Sequence, residues 1–149
     1  MERTFIIVKP DAVQRGLTGD IINRFERRGL KSVAIKMVQA ERATVEEHYA
    51  EHKGKGFYEG LVTYLMSGPI VIIALEGKGA IKAARQTIGA TRPMEAEVGT
   101  IRGDLALEVG RNLVHGSDSE SSAARELGLW FGDSDYVSHT RPGEAWIYE

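Results

Sequence analysis

Four histidines are the residues of this 149-residue chain best suited to nucleophilic or metal chemistry, because the chain contains no cysteine. The lack of cysteine excludes disulfide scaffolds, thiolate metal sites and cysteine nucleophiles. His48 and His52 match the H-x-x-E-H pattern of inverted zinc peptidases. On one face of a helix, both imidazoles could bind the same zinc ion. The alternative is a polar helix that carries two exposed histidines.

His115 has a different context, since it follows an apolar pair and precedes a glycine and a predicted helix. A single histidine is more often a hydrogen-bonded structural residue than a nucleophile. Glu126 falls in the predicted helix and comes within reach of His115 if that helix packs back along the strand. A carboxylate on one ring nitrogen fixes the tautomer and leaves the other nitrogen free as a nucleophile. The spacing is therefore compatible with a histidine nucleophile and an orienting acid.

Phosphate chemistry requires positive charge, but the usual glycine-rich motifs do not occur. The sequence has neither G-x-x-x-x-G-K-[ST] nor G-x-G-x-x-G, so it offers no P-loop and no Rossmann fingerprint. Five cations instead stand at element ends or in an irregular stretch: Lys9, Arg85, Arg92, Arg102 and Arg111. They form a phosphate clamp if the fold gathers several of them near His115. Otherwise they are ordinary solvated surface residues.

The composition is that of a globular domain, with 42% hydrophobic and 27% charged residues. With 19 basic and 21 acidic residues, the chain lacks the basic excess of nucleic-acid binders, so we expect no nucleic-acid partner. Its longest apolar run, residues 70–75, is far shorter than the roughly twenty residues of a membrane span. The amino terminus has no signal-peptide layout. We expect a single cytoplasmic domain, residues 1–149, without a membrane partner.

The apolar pattern predicts strands at residues 5–8, 31–40, 70–75 and 113–114. The first strand should be buried on both faces, and in the second strand Val33, Ile35, Met37 and Val38 should face the core. Helices are predicted at 18–28, 44–52, 57–66, 80–88 and 117–127, the last opened by Ser117 as a capping residue. Residues 90–111 show no period, which is typical of a functional loop. This order predicts an α+β, ferredoxin-like (split βαβ) sandwich with a four-stranded antiparallel sheet covered by helices.

At this point the sequence resembles a known family. The segment Asn112-x-x-His115-Gly116-Ser117-Asp118 is similar to the active-site signature of nucleoside diphosphate kinases. Further similar segments occur in the same order along the chain, and the resemblance covers nearly all of it. They are Val8-Lys9-Pro10-Asp11, Gln14-Arg15-Gly16, His48-Tyr49, Phe57-Tyr58, Ser67-Gly68-Pro69, Gly89-Ala90-Thr91 and Gly99-Thr100-Ile101-Arg102-Gly103-Asp104.

The resemblance implies transfer of the terminal phosphate of a nucleoside triphosphate to a diphosphate, by a ping-pong route through phosphohistidine. It makes His115 the phosphorylated residue, with Glu126 on its other nitrogen, Tyr49 close to the ring and Ser117 assisting. The nucleotide-binding residues that it implies are Lys9, Phe57, Arg85, Thr91, Arg102 and Asn112. It also implies Mg²⁺ as cofactor, carried on the nucleotide phosphates and not by protein ligands.

Two segments depart from the family pattern, namely Arg92-Pro93 in place of Asn-Pro and Val98-Gly99 in place of Pro-Gly. Both fall in a loop that supports subunit contacts in the family. The resemblance implies a homo-oligomer, and the ending Trp146-Ile147-Tyr148-Glu149 is more similar to hexameric than to tetrameric members. A zinc peptidase based on His48 and His52 remains an alternative. So does a module of the same fold that binds nucleotides without turning them over.

Overall fold

A four-stranded antiparallel sheet forms the centre of the protein, and the computed structural model describes all of residues 1–149. The strands lie in the order β2-β3-β1-β4. Their bounds are Glu2–Val8 (β1), Lys31–Val38 (β2), Ile70–Gly77 (β3) and Val114–Gly116 (β4). Non-consecutive neighbours with helical crossovers give the ferredoxin-like α+β fold that the sequence predicted.

Seven α-helices cover the sheet: Pro10–Gln14 (α1), Thr18–Arg27 (α2), Arg42–His48 (α3), Tyr58–Leu65 (α4), Ala80–Ile88 (α5), Ile101–Leu105 (α6) and Glu120–Trp130 (α7). Single 3₁₀ turns occupy Ala50–His52, Pro93–Glu95, Val109–Arg111, Asp133–Asp135 and Glu144–Trp146. None of the helices has both the length and the apolar character needed to cross a bilayer.

The two faces of the sheet pack into two separate cores because side chains alternate along each strand. Phe5 and Ile7 of β1 point to one core, which α3, α4 and α7 complete. Ile6 and Val8 point to the other, which α2, α5 and α6 complete. All four side chains are fully buried, which confirms the prediction of a strand buried on both faces. The sandwich therefore fixes β1, the strand against which β4 pairs.

The predicted core face of β2 is wrong for two of its four residues, while Val38 is partly buried against the core as predicted. Val33 is buried, but Ile35 and Met37 are 50% and 63% exposed. The register with β3 shifts between Ser32 and Ala34, so that Val33 is an extra residue in the strand. A one-residue bulge moves every following side chain to the opposite face. Unbroken alternation, on which the prediction relied, therefore fails beyond Val33.

Several predicted helix ends were also displaced. Helix α3 begins at Arg42 and ends at His48, and a separate 3₁₀ turn holds His52. Helix α7 is capped by Ser119, whose hydroxyl accepts a hydrogen bond from the Ser122 amide, and not by Ser117. Strand β4 includes His115 instead of ending before it. Short polar caps recur along this sequence, so several serines and threonines fit the same local pattern.

The stretch predicted as irregular contains helix α6, whose N-cap Thr100 accepts a hydrogen bond from the Gly103 amide. Gly89 ends α5 with φ +91°, and a Cβ there would lie 2.4 Å from the Thr100 Oγ1. Only glycine permits this close approach without displacing the loop. The loop therefore folds back tightly on α5, toward the end of the sheet where β4 begins.

We expect Phe25→Ala to lower the free energy of unfolding by about 3–5 kcal/mol, because it removes a fully buried ring from the core between α2 and the sheet. Urea denaturation followed by circular dichroism measures the loss. Arg27→Ala, on the exposed side of the same helix, is the control and should change the free energy by less than about 0.5 kcal/mol. Similar losses in the two variants would contradict the assigned core face.

Candidate active site

His115 is the middle residue of β4 and lies opposite Ile7 of β1. Its ring therefore lies on the face of the sheet that α7 covers. The His115 Nε2 is 3.0 Å from both carboxylate oxygens of Glu126, which projects from the buried side of α7. No protein group hydrogen-bonds the Nδ1 atom. The structure thus holds one ring nitrogen of His115 and leaves the other available, which is the arrangement that the resemblance implied.

The Glu126 carboxylate is buried, with an exposed fraction of 4%. Its Oε1 also accepts a hydrogen bond of 2.7 Å from the hydroxyl of Ser117, two residues after His115 in the chain. Burial alone would raise the pKa of Glu126, but the hydrogen bonds and charge of His115 together with the Ser117 hydroxyl hold this pKa below its usual value. The carboxylate therefore stays ionised beside the imidazole.

A γ-turn at residues 112–114 leads directly into β4. The Val114 amide donates to the Asn112 carbonyl at 2.8 Å, and Leu113 between them has φ +74°. A positive φ in a buried leucine is a strained conformation that neighbouring contacts must hold. Arg102 supplies such contacts, since its guanidinium donates to the carbonyls of Asn112 at 3.2 Å and Val114 at 2.7 Å. The Leu113 amide donates to Asp11.

The Lys9 ammonium lies at the end of β1 and donates to the Asn112 side-chain oxygen at 2.8 Å. The Asn112 amide nitrogen in turn donates to the Thr91 carbonyl at 3.1 Å. Burial, and then the charge of Arg102, lower the pKa of Lys9 to about 8. Burial, and then the charge of Arg85, lower the pKa of Arg102 to about 10. Both cations remain predominantly protonated at neutral pH.

These groups surround a cavity of about 240 Å³ into which His115 opens. Eight of the ten predicted site residues line it: Lys9, Tyr49, Arg85, Thr91, Arg102, Asn112, His115 and Glu126. Three cations therefore face the imidazole, which is the clamp that the sequence left conditional. A larger groove beside α5 includes Arg85 but not His115. We assign the site to the smaller cavity because the chemistry is concentrated there.

Two of the ten predicted site residues and two of the five candidate cations lie outside the cavity lining. Ser117 is buried behind Glu126, and Phe57 is 53% exposed with its ring centroid 5.3 Å from that of His52, which does line the cavity. Among the cations considered for the clamp, Arg92 is exposed, and Arg111 lies over the Tyr64 ring at 4.6 Å. Of the five candidate cations, only Lys9, Arg85 and Arg102 therefore line the cavity.

The predicted zinc pair is not formed. His48 ends α3 and is buried, whereas His52 lies in the following 3₁₀ turn, so the two do not share one helical face. The His48 Nδ1 accepts a hydrogen bond of 3.2 Å from the indole of Trp130. The interpretation of His48 as an exposed histidine was also wrong. Trp130 stands four residues after Glu126 in α7, and that helical spacing was the one available signal for its place in the site.

The comparison with known proteins agrees with this geometry. A family model described as nucleoside diphosphate kinase matches residues 2–136. The nucleoside diphosphate kinase of Archaeoglobus fulgidus is 56% identical over 149 residues, which is all of this chain and 99% of the relative. That of Carboxydothermus hydrogenoformans is 54% identical over the full length of both chains.

The chain belongs to the nucleoside diphosphate kinase family.

Solved structures of this family superpose on nearly the whole chain. A halophilic nucleoside diphosphate kinase from Halobacterium salinarum in complex with CDP has a TM-score of 0.97, 47% identity and 99% coverage of both chains. A nucleoside diphosphate kinase family protein from Babesia bovis has a TM-score of 0.97 and 46% identity, covering 99% of this chain and all of that one. The protein is accordingly a phosphotransferase that moves phosphate between nucleotides, and the inactive-module alternative is not favoured.

The only cluster with metal-ligand chemistry consists of His48, His115 and Glu126, whose candidate ligand atoms lie within 4.8 Å of one another. Their atoms are already engaged, since Glu126 accepts from His115 and His48 accepts from Trp130. The hard cation that a nucleotide kinase uses prefers oxygen ligands. Besides Glu126, only Glu51 and Asp118 bring carboxylates to the cavity. The few carboxylates of the cavity suit a metal ion coordinated by nucleotide phosphates better than one coordinated by protein side chains.

We expect Ser117→Ala to lower the free energy of unfolding at pH 7 by about 1.5–3 kcal/mol, because Glu126 loses a hydrogen bond to its charged form. Urea denaturation measures this loss of unfolding free energy, and Ser121→Ala, at an exposed position, is the control. The Glu126 pKa is lowered in the folded state, so its contribution is present above the ordinary pKa of about 4.3 and lost as the pH falls. A Ser117→Ala deficit that grows toward low pH would contradict this assignment.

Proposed function

We propose that the protein transfers the terminal phosphate of a nucleoside triphosphate to a nucleoside diphosphate through a phosphohistidine on His115, and so maintains the cellular NTP and dNTP pools. The observation that carries this proposal is the His115 ring itself. Its Nε2 is bonded to Glu126, and its Nδ1 is free in a cavity that three cations line. Phosphoryl transfer requires mainly positioning and charge stabilisation, which these groups supply.

In the first half-reaction the Nδ1 lone pair of His115 attacks the terminal phosphorus of the triphosphate. A nitrogen–phosphorus bond forms while the bond to the leaving diphosphate oxygen breaks. The imidazole gains positive charge, which the Glu126 carboxylate stabilises across the 3.0 Å hydrogen bond. In the second half-reaction a terminal oxygen of another diphosphate attacks the same phosphorus. The nitrogen–phosphorus bond then breaks, and neutral His115 is regenerated without any net change of protons.

The cations and their partners receive the nucleotide in this proposal. Arg85, Arg102 and Thr91 bind the phosphates, Lys9 binds the transferred phosphate and a ribose hydroxyl, and Asn112 binds the ribose. The Arg102 guanidinium uses three of its five N–H groups on backbone carbonyls, which leaves two for phosphate oxygens. Tyr49 lines the same cavity, with its ring centroid 4.8 Å from that of His48. Magnesium carried on the phosphates would neutralise part of their charge, consistent with a cavity that has few carboxylates.

Phe57 is the proposed stacking surface for the base. Its ring is half exposed and stands beside His52 at the edge of the cavity, with the Lys55 ammonium 5.7 Å from its centroid. Stacking on an aromatic face accepts any base. We therefore propose broad use of nucleoside di- and triphosphates, including ATP, GTP and ADP. The solved relative with bound CDP is consistent with this range.

We further propose that the protein is a cytoplasmic homo-oligomer, with a hexamer favoured over a tetramer. Several large apolar side chains of the segment from Met94 to Val109 are exposed in the single chain: Met94, Val98, Leu107 and Val109. Exposed apolar side chains concentrated in one stretch of the chain are typical of subunit contacts. Sedimentation equilibrium measures the mass. A monomer at micromolar concentration would contradict the proposal.

Incubation with [γ-³²P]ATP and Mg²⁺ should label the wild-type protein with an acid-labile, base-stable phosphate. We expect no such label in His115→Ala, because the attacking nitrogen is gone. His139→Ala is the control, since His139 is exposed and does not line the cavity. Equal labelling of His115→Ala and the wild type would refute the assignment.

We expect Phe57→Ala to raise the KM for nucleoside diphosphates about tenfold, because a stacked base contributes about 1–3 kcal/mol. The chemical step should be affected much less, since the ring does not line the cavity into which His115 opens. Phe57→Tyr, which retains the aromatic face, serves as the matched variant. Steady-state kinetics with ADP, GDP and CDP measure all three proteins. An unchanged KM in Phe57→Ala would remove Phe57 from the base site.

A further inference from the structure

A second histidine lies directly beside the proposed nucleophile. The ring centroids of His48 and His115 are 5.0 Å apart and their planes meet at 82°. The His48 Nδ1 is 3.9 Å from the Glu126 Oε2, which is too long for a hydrogen bond but short enough for an ion pair if His48 were charged. The site thus contains two imidazoles and a single carboxylate.

Trp130 determines which of the two imidazoles hydrogen-bonds to Glu126. Its indole N–H donates to the His48 Nδ1 at 3.2 Å, and this is the nitrogen that lies near Glu126. A nitrogen that accepts a hydrogen bond from an indole cannot carry a proton of its own, since indole N–H is a donor only. His48 is therefore in the neutral tautomer with its proton on Nε2. The Trp130 ring is itself fixed by stacking on Phe5, with centroids 5.9 Å apart.

The surroundings of His48 also favour the neutral form. Burial, and then the charge of His115, lower the pKa of His48 to about 3, although Glu126 acts in the opposite direction. The charged or titratable groups that face it from the neighbouring elements are His115, Glu126, Arg125, Lys9 and Tyr49. The Arg125 guanidinium donates to the carbonyls of Glu47 and His48, which fixes the end of α3 that presents the ring.

We propose that His48 is a positioning residue for phosphoryl transfer: held uncharged by Trp130, it packs against His115 and leaves the Glu126 carboxylate to His115 alone. A cation at position 48 would pair with Glu126 and repel the positive charge that develops on His115. Either effect makes the attack on phosphorus slower. The proposal rests on the proposed function of His115 and deepens it.

Two variants with unbranched, flexible side chains separate charge from packing. His48→Lys and His48→Met both remove the acceptor for Trp130, but only the lysine carries charge. We expect the single-turnover phosphorylation rate of the lysine variant to be at least about tenfold below that of the methionine variant at its plateau. In a plot of this rate against pH, the acid limb of the lysine variant should also move to lower pH by about one unit. The reason is that a neighbouring cation opposes protonation of the nucleophile. A purely structural role of His48 would leave this limb in place.

Equal plateaus and equal acid limbs in the two variants would overturn the inference. If the wild type itself forms no phosphohistidine, the proposed function fails first, so the two failures are distinguishable. Nitrogen-15 spectra of the histidine rings test the wild type without relying on a variant that folds. Between pH 8 and pH 5, His48 should show one proton, on Nε2. A second proton, or a proton on Nδ1, would also overturn the inference.

The same spectra of Trp130→Phe examine the indole directly, since phenylalanine keeps a ring on Phe5 but lacks the N–H donor. We expect the His48 Nδ1 and Nε2 signals to move toward each other as the second tautomer becomes populated. His139, which is exposed and remote from Trp130, provides the internal reference. An unchanged single tautomer at His48 would show that Trp130 does not hold it.

Discussion

The buried carboxylate of Glu126 imposes the constraint on which the rest of the site depends. An ionised carboxylate away from water is costly unless donors surround it. His115 and Ser117 supply these donors from alternate positions of one short segment. They reach the carboxylate because β4 pairs with β1 and because the Ser117 amide is bonded to the Phe5 carbonyl. The packing of β1, β4 and α7 and the orientation of the imidazole are therefore parts of one arrangement.

The cations that line the cavity also make hydrogen bonds that stabilise the fold around it. Arg102 fixes the γ-turn before β4, Arg85 donates to the Gly116 carbonyl just after His115, and Lys9 orients Asn112. Each cation thus bonds the segment that carries the imidazole. In the proposed transfer, groups fixed in this way would need little reorganisation as charge develops on a phosphate. Burial lowers the pKa of Lys9 and of Arg102, which reflects the cost of keeping charge in so enclosed a place.

The His48 pair illustrates how a short motif misleads. Two histidines four residues apart predict a metal site only if one helix carries both, and here α3 ends at the first of them. The side chain instead turns inward onto Trp130 and His115. A histidine with a donor on one nitrogen and a second imidazole alongside is poorly suited to a metal, but well suited to remain neutral. The two histidines therefore differ at Nδ1, which is free in His115 but accepts a hydrogen bond from Trp130 in His48.

The sequence by itself determined the order of the strands and of the longer helices and the burial of β1, and it offered His115 with Glu126 as one candidate pair, because apolar periodicity and short motifs are local. The resemblance also indicated the nucleotide-binding residues. Only the tertiary structure decided which cations face His115, excluding Arg92 and Arg111 from the cavity lining. It also decided the exposure of Ile35 and Met37, since a bulge arises from pairing between strands. Contacts between residues distant in sequence, such as that of Trp130 with His48, depend on how the helices pack on the sheet, so local spacing does not reveal the partner.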